Sequence, residues 1–159
     1  MKNVPTDEPI YLTAEGLENL KKKLKRLEEA LPGYSTEVAR TAAYGDRSDN
    51  AEYKEAKQLQ RRTQAQIFYI KEDIKRVVII SDKPNTSGKI QLGNTVIVKT
   101  EDGAQKTFRI VGPRETNPSE GKVSFESPLG TALMNHAKGD SVTIALPSGT
   151  QKYTILEIS

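Results

Sequence analysis

Leu17, Leu20, Leu24, Leu27 and Leu31 recur at alternating intervals of three and four residues, and Tyr34 and Val38 continue the line in the same register. A 3-4 repeat of this kind draws one narrow apolar seam along an α-helix. That seam leaves water only when a second helix packs along it. Thr13 stands just ahead of the seam as its N-cap. Pro32-Gly33 interrupts the run, and a proline inside a helix removes a hydrogen bond, so a bend or split is expected there. Because the heptad phase survives the interruption, a kink is expected rather than a domain boundary.

A second seam follows at Ala56, Leu59, Thr63, Ile67, Ile70, Ile74 and Val77. Its Leu59-Thr63-Ile67 steps stretch the period and would locally unwind a supercoil. Read as one helix over 51–78, this segment would be about 42 Å long. Two such helices joined by a short turn predict an antiparallel hairpin. Between them lies Gly45-Asp46-Arg47-Ser48-Asp49-Asn50-Ala51-Glu52-Tyr53, which places Asp46 and Asp49 at the hairpin's far end.

After Ser81 the pattern changes. Asp82 to Gly88 reads as a linker, and the chain then breaks into short β-rich runs at 95–100, 106–111, 122–126, 141–146 and 152–158. Glu101-Asp102-Gly103 and Pro147-Ser148-Gly149 supply turn chemistry. Pro128 to His136 reads as a short helix with Ser127 as N-cap. The fold class expected is α+β: an N-terminal coiled-coil hairpin over 1–81, then a small β-β-β-α-β-β domain over 82–159.

Composition narrows the chemistry. The net charge is +3. Residues 1–80 carry 15 basic and 13 acidic side chains and residues 81–159 carry 9 and 8, together the 24 and 21 of the whole chain. Neither half is basic enough to hold nucleic acid by its bulk field, so any such contact needs a local stripe. The absence of cysteine excludes disulfides, thiolate metal sites and cysteine nucleophiles. His136, the single histidine, and Met134 read as packing or surface residues. Met1 to Pro9 contains no apolar leader segment, and no run is long enough to span a bilayer, so a soluble cytoplasmic protein is expected.

Each candidate residue has a structural reading beside its chemical one. Asp49-Asn50-Ala51-Glu52 has the form of a capping box with Asp49 as cap and Glu52 at the third position; Asp46 and Ser48 are alternative caps. Chemically, two carboxylates three apart suit a shared Mg²⁺, which is commonly held by one or two carboxylates while water and phosphate oxygens fill its other positions. Lys54, Lys57, Arg61 and Arg62 fall on one helical face behind the tip, either as a solvated face or as a stripe that tracks phosphates. No aromatic ladder interleaves them, which argues against reading bases by sequence. Lys21-Lys22-Lys23 belongs to the outer face of the first helix. Tyr44 either packs on Tyr53 to close the turn or contacts a partner.

With these motifs in order, nearly the whole chain resembles the bacterial Gre family of transcript cleavage factors. Residues 45–53 are close to the family's tip pattern, nearer in Arg47-Ser48 to the GreB type than to GreA. Phe108-Arg109-Ile110-Val111-Gly112 and Val123-Ser124-Phe125-Glu126-Ser127-Pro128-Leu129 are similar to the family's C-terminal strands and short helix. The resemblance implies an FKBP-like C-terminal domain that docks at the rim of the RNA polymerase secondary channel through Glu126, Ser127 and Pro128. It implies a hairpin that enters the channel, where Asp46 and Asp49 help hold the second Mg²⁺ and cleavage of backtracked RNA is stimulated. Gly45, Arg47, Ser48 and Asn50 would support the tip, and Lys54, Lys57, Arg61 and Arg62 would face the nascent RNA. The chain would then be no enzyme itself but a monomeric accessory factor with no tightly bound cofactor and no membrane partner. Asp49 stands where the family most often has Glu, and Glu126 where an aspartate is usual.

Two other functions are consistent with parts of the sequence. One is a Gre-like inhibitor that occupies the same channel without stimulating cleavage, kept open by Asp49. The other is a prolyl isomerase with a helical arm, disfavoured because Phe108, Phe125 and Tyr153 are the only aromatic residues of the second half.

Overall fold

A computed structural model describes residues 7–45 and 50–159. The described residues divide into two compact units: 17–45 and 50–77 together with 7–8, and 9–16 together with 78–159. The sequence suggested one cut between 81 and 82. The packing instead assigns the segment 9–16 to the second unit, because its strand and first helical turn find partners there.

The first unit is built on α1 (Ala14–Ala42) and α2 (Ala51–Lys75). Ser35 bonds Gln60 at 2.9 Å and Glu28 pairs with Lys71 at 2.7 Å, while near the turn Thr41 is joined to Asn50. Partner numbers fall along α1 as they rise along α2, so the helices are antiparallel. α1 is not split at Pro32, which lies inside one continuous helix. Near it, the Ser35 and Thr36 hydroxyls donate to the Leu31 and Pro32 carbonyls at 3.1 and 3.0 Å. The leucines of the first seam are all half-buried. In α2 the buried positions are Ala56, Thr63 and Ile70, seven apart, while Leu59 is 39% exposed. The stretched step is therefore relieved by letting Leu59 face outward.

α2 ends earlier than its apolar pattern predicted. Arg76 is the C-cap, and Val77–Ile79 form strand β2 rather than a last helical turn. Four consecutive β-branched residues, Val77 to Ile80, are stiff at χ1 and favour extended backbone. β2 pairs with a strand the sequence reading did not anticipate, β1 (Ile10–Leu12). The Ile80 amide donates to the Leu12 carbonyl at 2.8 Å.

The second unit carries a five-stranded sheet in the order β5-β4-β3-β7-β6. Its strands are β3 (Thr95–Thr100), β4 (Gln105–Val111), β5 (Lys122–Ser124), β6 (Ser141–Leu146) and β7 (Gly149–Ile158). β4 and β5 are parallel and the other pairs antiparallel. Alternation aims Val96 and Val98, Val142 and Ile144, and Tyr153 and Ile155 into one core with Ile90, Ile110 and Leu133. α3 (Pro128–Leu133) covers that core and stops before His136, with Asn135 at φ 65°. The α+β class and the five strands after residue 90 agree with the sequence reading. The stretch read as a linker is folded instead: Asn85 accepts from the Ser87 and Gly88 amides at 2.9 and 3.1 Å and donates to the Lys89 carbonyl and to Asn94 at 2.6 Å.

Thr13 caps α1 as expected, its hydroxyl accepting from the Gly16 amide at 3.0 Å. A second cap was not legible in the sequence. The Glu115 carboxylate accepts from the Thr13 amide at 2.7 Å and from its hydroxyl at 2.5 Å, placing negative charge at a helix N-terminus. A Cβ on Gly16 would collide with that carboxylate and would force the Glu115 side chain to shift.

Candidate functional site at the hairpin tip

Asp46, Arg47, Ser48 and Asp49 lie outside the described residues; the structure fixes what stands on either side of them. On the first arm the Tyr44 amide bonds the Thr41 carbonyl at 3.3 Å, and Gly45 follows at φ 98°, in the left-handed region that favours glycine. On the second arm Asn50 is extended, and its side-chain oxygen accepts from the Tyr53 amide at 3.0 Å. Asn50 is therefore the N-cap of α2, with Glu52 at the second position and Tyr53 at the third.

This corrects the Asp49–Glu52 capping box. The reason lies in the chemistry of the amide, which accepts and donates at once where a carboxylate only accepts. While its oxygen caps α2, the Asn50 nitrogen donates to the Thr41 carbonyl at 2.7 Å. That carbonyl belongs to the last turn of α1, whose carbonyls lack helical partners. Thr41 is itself 1% exposed, with its hydroxyl bonded back to the Glu37 carbonyl at 2.8 Å. One side chain thus ties both arms together where the acidic segment leaves and returns.

Arg40 makes a second tie. Its guanidinium takes both oxygens of Glu37 at 2.9 and 2.5 Å, donates to the Tyr44 hydroxyl at 2.9 Å and lies 3.7 Å from Glu52 on the other arm. It also stands over the Tyr44 ring, 5.5 Å from its centre. The hydrogen bonds from Arg40 lower the Glu37 pKa, and the same contact raises that of Arg40. Tyr44, 65% exposed, is therefore positioned by Arg40. Sequence reasoning missed Arg40, although Glu37 three before it and Tyr44 four after it are spaced for a helical network.

Behind the tip, Lys54, Arg61 and Arg62 are exposed, and among the described residues none has an ion-pair partner. Lys57 is drawn away from this group. It is half-buried, with its ammonium 3.0 Å from the Tyr53 hydroxyl and over the Tyr53 ring at 5.4 Å.

In the second unit Glu126, Ser127 and Pro128 adjoin one another but differ in kind. Glu126 is exposed, and its amide donates to the Ser124 hydroxyl at 3.1 Å. Pro128 is exposed at the first turn of α3. The Ser127 hydroxyl is committed to the fold: it accepts from the Gly130 amide at 3.0 Å and donates to the Ser124 carbonyl at 2.7 Å. Ser127 therefore shapes the turn that presents Glu126. His136 is a surface residue 3.3 Å from Asp140, whose carboxylate also accepts from the Ala137 amide at 2.9 Å.

Two family models match end to end along this architecture. "Transcription elongation factor, N-terminal" covers residues 10–79, and "Transcription elongation factor, GreA/GreB, C-term" covers residues 84–159. The chain belongs to the GreA/GreB family of transcription elongation factors. Among relatives, the GreA factor of Thermosipho melanesiensis is 40% identical over 153 residues, 95% of this chain and 97% of that protein. The GreA factor of Chloroflexus aggregans is 36% identical over 155 residues, 96% and 99% of the two chains. The GreB factor of Yersinia pestis is 36% identical over 149 residues, 93% and 87%. Both types of Gre factor are thus matched at comparable identity. Among the described residues no helix is long and apolar enough to cross a membrane, and no three His, Asp or Glu side chains converge as a metal cage.

Proposed function

We propose that this Gre-family chain inserts its hairpin into the RNA polymerase secondary channel and stimulates cleavage of backtracked nascent RNA. The observation that carries the reading is the double tie at the tip. Asn50 and Arg40 join the two arms on either side of the segment that holds Asp46 and Asp49. Asn50 also takes the capping role that would otherwise fall to Asp49, so neither aspartate is needed to start α2 and both can serve a ligand beyond the chain.

The donor set fits a hard divalent cation. Two carboxylates with no cysteine nearby suit Mg²⁺, and two alone are too few to bind it without a partner that completes the shell. Asp46 and Asp49 would hold the ion jointly with the polymerase, and the bound Mg²⁺ supplies charge neutralisation for phosphoryl transfer. The chain's own part is positioning: Asn50 and Arg40 hold the tip, the exposed cations Lys54, Arg61 and Arg62 face the extruded RNA, and Glu126 with Pro128 docks at the channel rim.

The test is RNA cleavage in a backtracked elongation complex across a Mg²⁺ titration, with wild type and Asp46→Ala side by side. Stimulation by wild type alone, greatest at low Mg²⁺, is expected, with polymerase affinity little changed in the variant. Channel binding without stimulation would instead make the chain a Gre-like inhibitor. Full stimulation by Asp46→Ala would remove Asp46 from the metal site.

A further inference from the structure

The outer face of α2 carries two large aromatic residues that the packing of the hairpin does not use. Phe68 is 56% exposed and Tyr69 41% exposed, and their rings meet edge to face with centres 5.5 Å apart and planes at 72°. Each ring steadies the other while much of both stays in water, an unfavourable placement for adjacent aromatics unless something covers them. Their position along the helix indicates what does. Lys54, Arg61 and Phe68 are spaced seven apart, as are Arg62 and Tyr69, so the residues form two neighbouring columns along one face, each step about 10 Å. Cations without ion-pair partners among the described residues thus lead directly into the aromatic pair on an exposed helix surface.

Resting on the function proposed above, we infer that Phe68 and Tyr69 form a stacking platform for single-stranded RNA, the outer end of a path on which Lys54, Arg61 and Arg62 hold phosphates. Cationic side chains followed by open aromatic rings are the pairing that single-stranded nucleic acid requires: the charges track the backbone and the rings take unstacked bases whatever their sequence. What favours RNA over a protein partner is the row: successive cations along one face suit successive backbone phosphates, and the rings at its end suit the bases. The platform lies about two helical turns beyond Arg61, so it would engage nucleotides of a longer extruded segment than the tip alone reaches.

The test measures binding of a fluorescently labelled oligouridylate to the intact chain by anisotropy, at several salt concentrations. Wild type is expected to bind with clear salt dependence. Phe68→Leu/Tyr69→Leu keeps apolar bulk at exposed positions and removes the stacking faces. It is expected to lose on the order of tenfold in affinity with an unchanged salt slope. Arg61→Gln/Arg62→Gln is expected to flatten the slope by about 1.4, at about 0.7 for each phosphate no longer neutralised. Circular dichroism checks that both variants keep their helix content. Oligonucleotide binding that is absent in wild type, or equal in the leucine variant, overturns the platform. So does a leucine variant that loses polymerase affinity but not RNA, or a wild-type dimer in sedimentation that the leucine variant abolishes. Failure of the cleavage assay alongside intact, platform-dependent RNA binding would strike the proposed function alone.

Discussion

Ile90, Val96, Val98, Ile110 and Leu133 in the second unit have no exposed surface at all, whereas every leucine of the hairpin seam from Leu17 to Leu31 stays half-exposed. The sheet unit has an interior. Two helices side by side have little more than a seam, which among the described residues encloses only Thr41, Ala56, Thr63 and Ile70, two of them polar and one an alanine. The hairpin therefore depends on contacts that the sheet unit does not need, above all polar ties between its arms at Asn50–Thr41, Gln60–Ser35 and Lys71–Glu28. Under the proposed function this division has a use: the enclosed unit would dock, and the thin pair of helices held by ties would enter the channel and present its end.

The sharpest way to break this contrast is to make the same kind of deletion in each unit. Ile110→Ala removes a fully buried side chain from the centre of the core and should cost about 2–5 kcal/mol, cavity included. Leu24→Ala removes one only half-buried and should cost about 1 kcal/mol. Denaturant unfolding of both variants checks the difference; equal losses would mean the seam encloses more than its exposure indicates. Gly130→Ala belongs with the larger effect, because a Cβ there would run into the Ser124 carbonyl oxygen and displace α3 from β5.

Asn50 allows a finer cut. Asn50→Ala removes the N-cap of α2, worth about 1 kcal/mol, and leaves the Thr41 carbonyl only its longer bond from the Tyr44 amide at 3.3 Å. Asn50→Asp retains the cap and loses only the donor, so its hairpin should be intermediate in stability. Faster amide exchange at Tyr53 in the alanine variant, and near-normal exchange there in the aspartate variant, would separate the two bonds. If tip geometry governs RNA cleavage, both variants should lower it, because both lose the Asn50–Thr41 tie and keep only the Arg40–Glu52 contact between the arms. Normal cleavage by Asn50→Asp would show that the cap alone positions the acidic segment.

Much of this was legible in the sequence, for a physical reason. Strands β3 and β6 fell on their predicted residues because period-2 alternation bounded by Gly and Pro turns is a local signal. Thr13 and Ser127 were legible as caps because capping is local too. What the sequence concealed depended on distant partners. β1 is three residues long and exists because Val77–Ile79 comes back beside it. Glu115 reaches the α1 N-terminus from about a hundred residues away and has no local signature. The capping-box spacing from Asp49 to Glu52 points to Asp49 as the α2 cap, yet Asn50 is the cap; its second partner, the Thr41 carbonyl on the other arm, has no local signature. Of the residues tied to function, Asp46 and Asp49 rest on the family resemblance, while Arg40 and the Phe68–Tyr69 pair emerged only from three-dimensional placement.

The smallest effect concerns charge at the tip's root. Glu37 takes two hydrogen bonds from Arg40, and these lower its pKa from the ordinary 4.5. A carboxyl whose folded pKa lies below its unfolded value adds stability that is present above pH 4.5 and is lost as pH falls through the lowered folded value. Arg40 stays charged throughout, so any change in this window belongs to Glu37. Both side chains are 48% exposed, and solvent screens such a pair, so the change should be slight and weaker still in high salt. Amide exchange at Tyr44, whose hydroxyl Arg40 also holds, is a local reporter. Glu37→Gln should exchange slightly faster than wild type at pH 6, and the difference should close as pH falls below 4.5. A difference that persists at the acid end would mean that Glu37 acts through hydrogen-bond geometry rather than charge, and that the hairpin's polar ties, like the core of the sheet unit, are indifferent to pH.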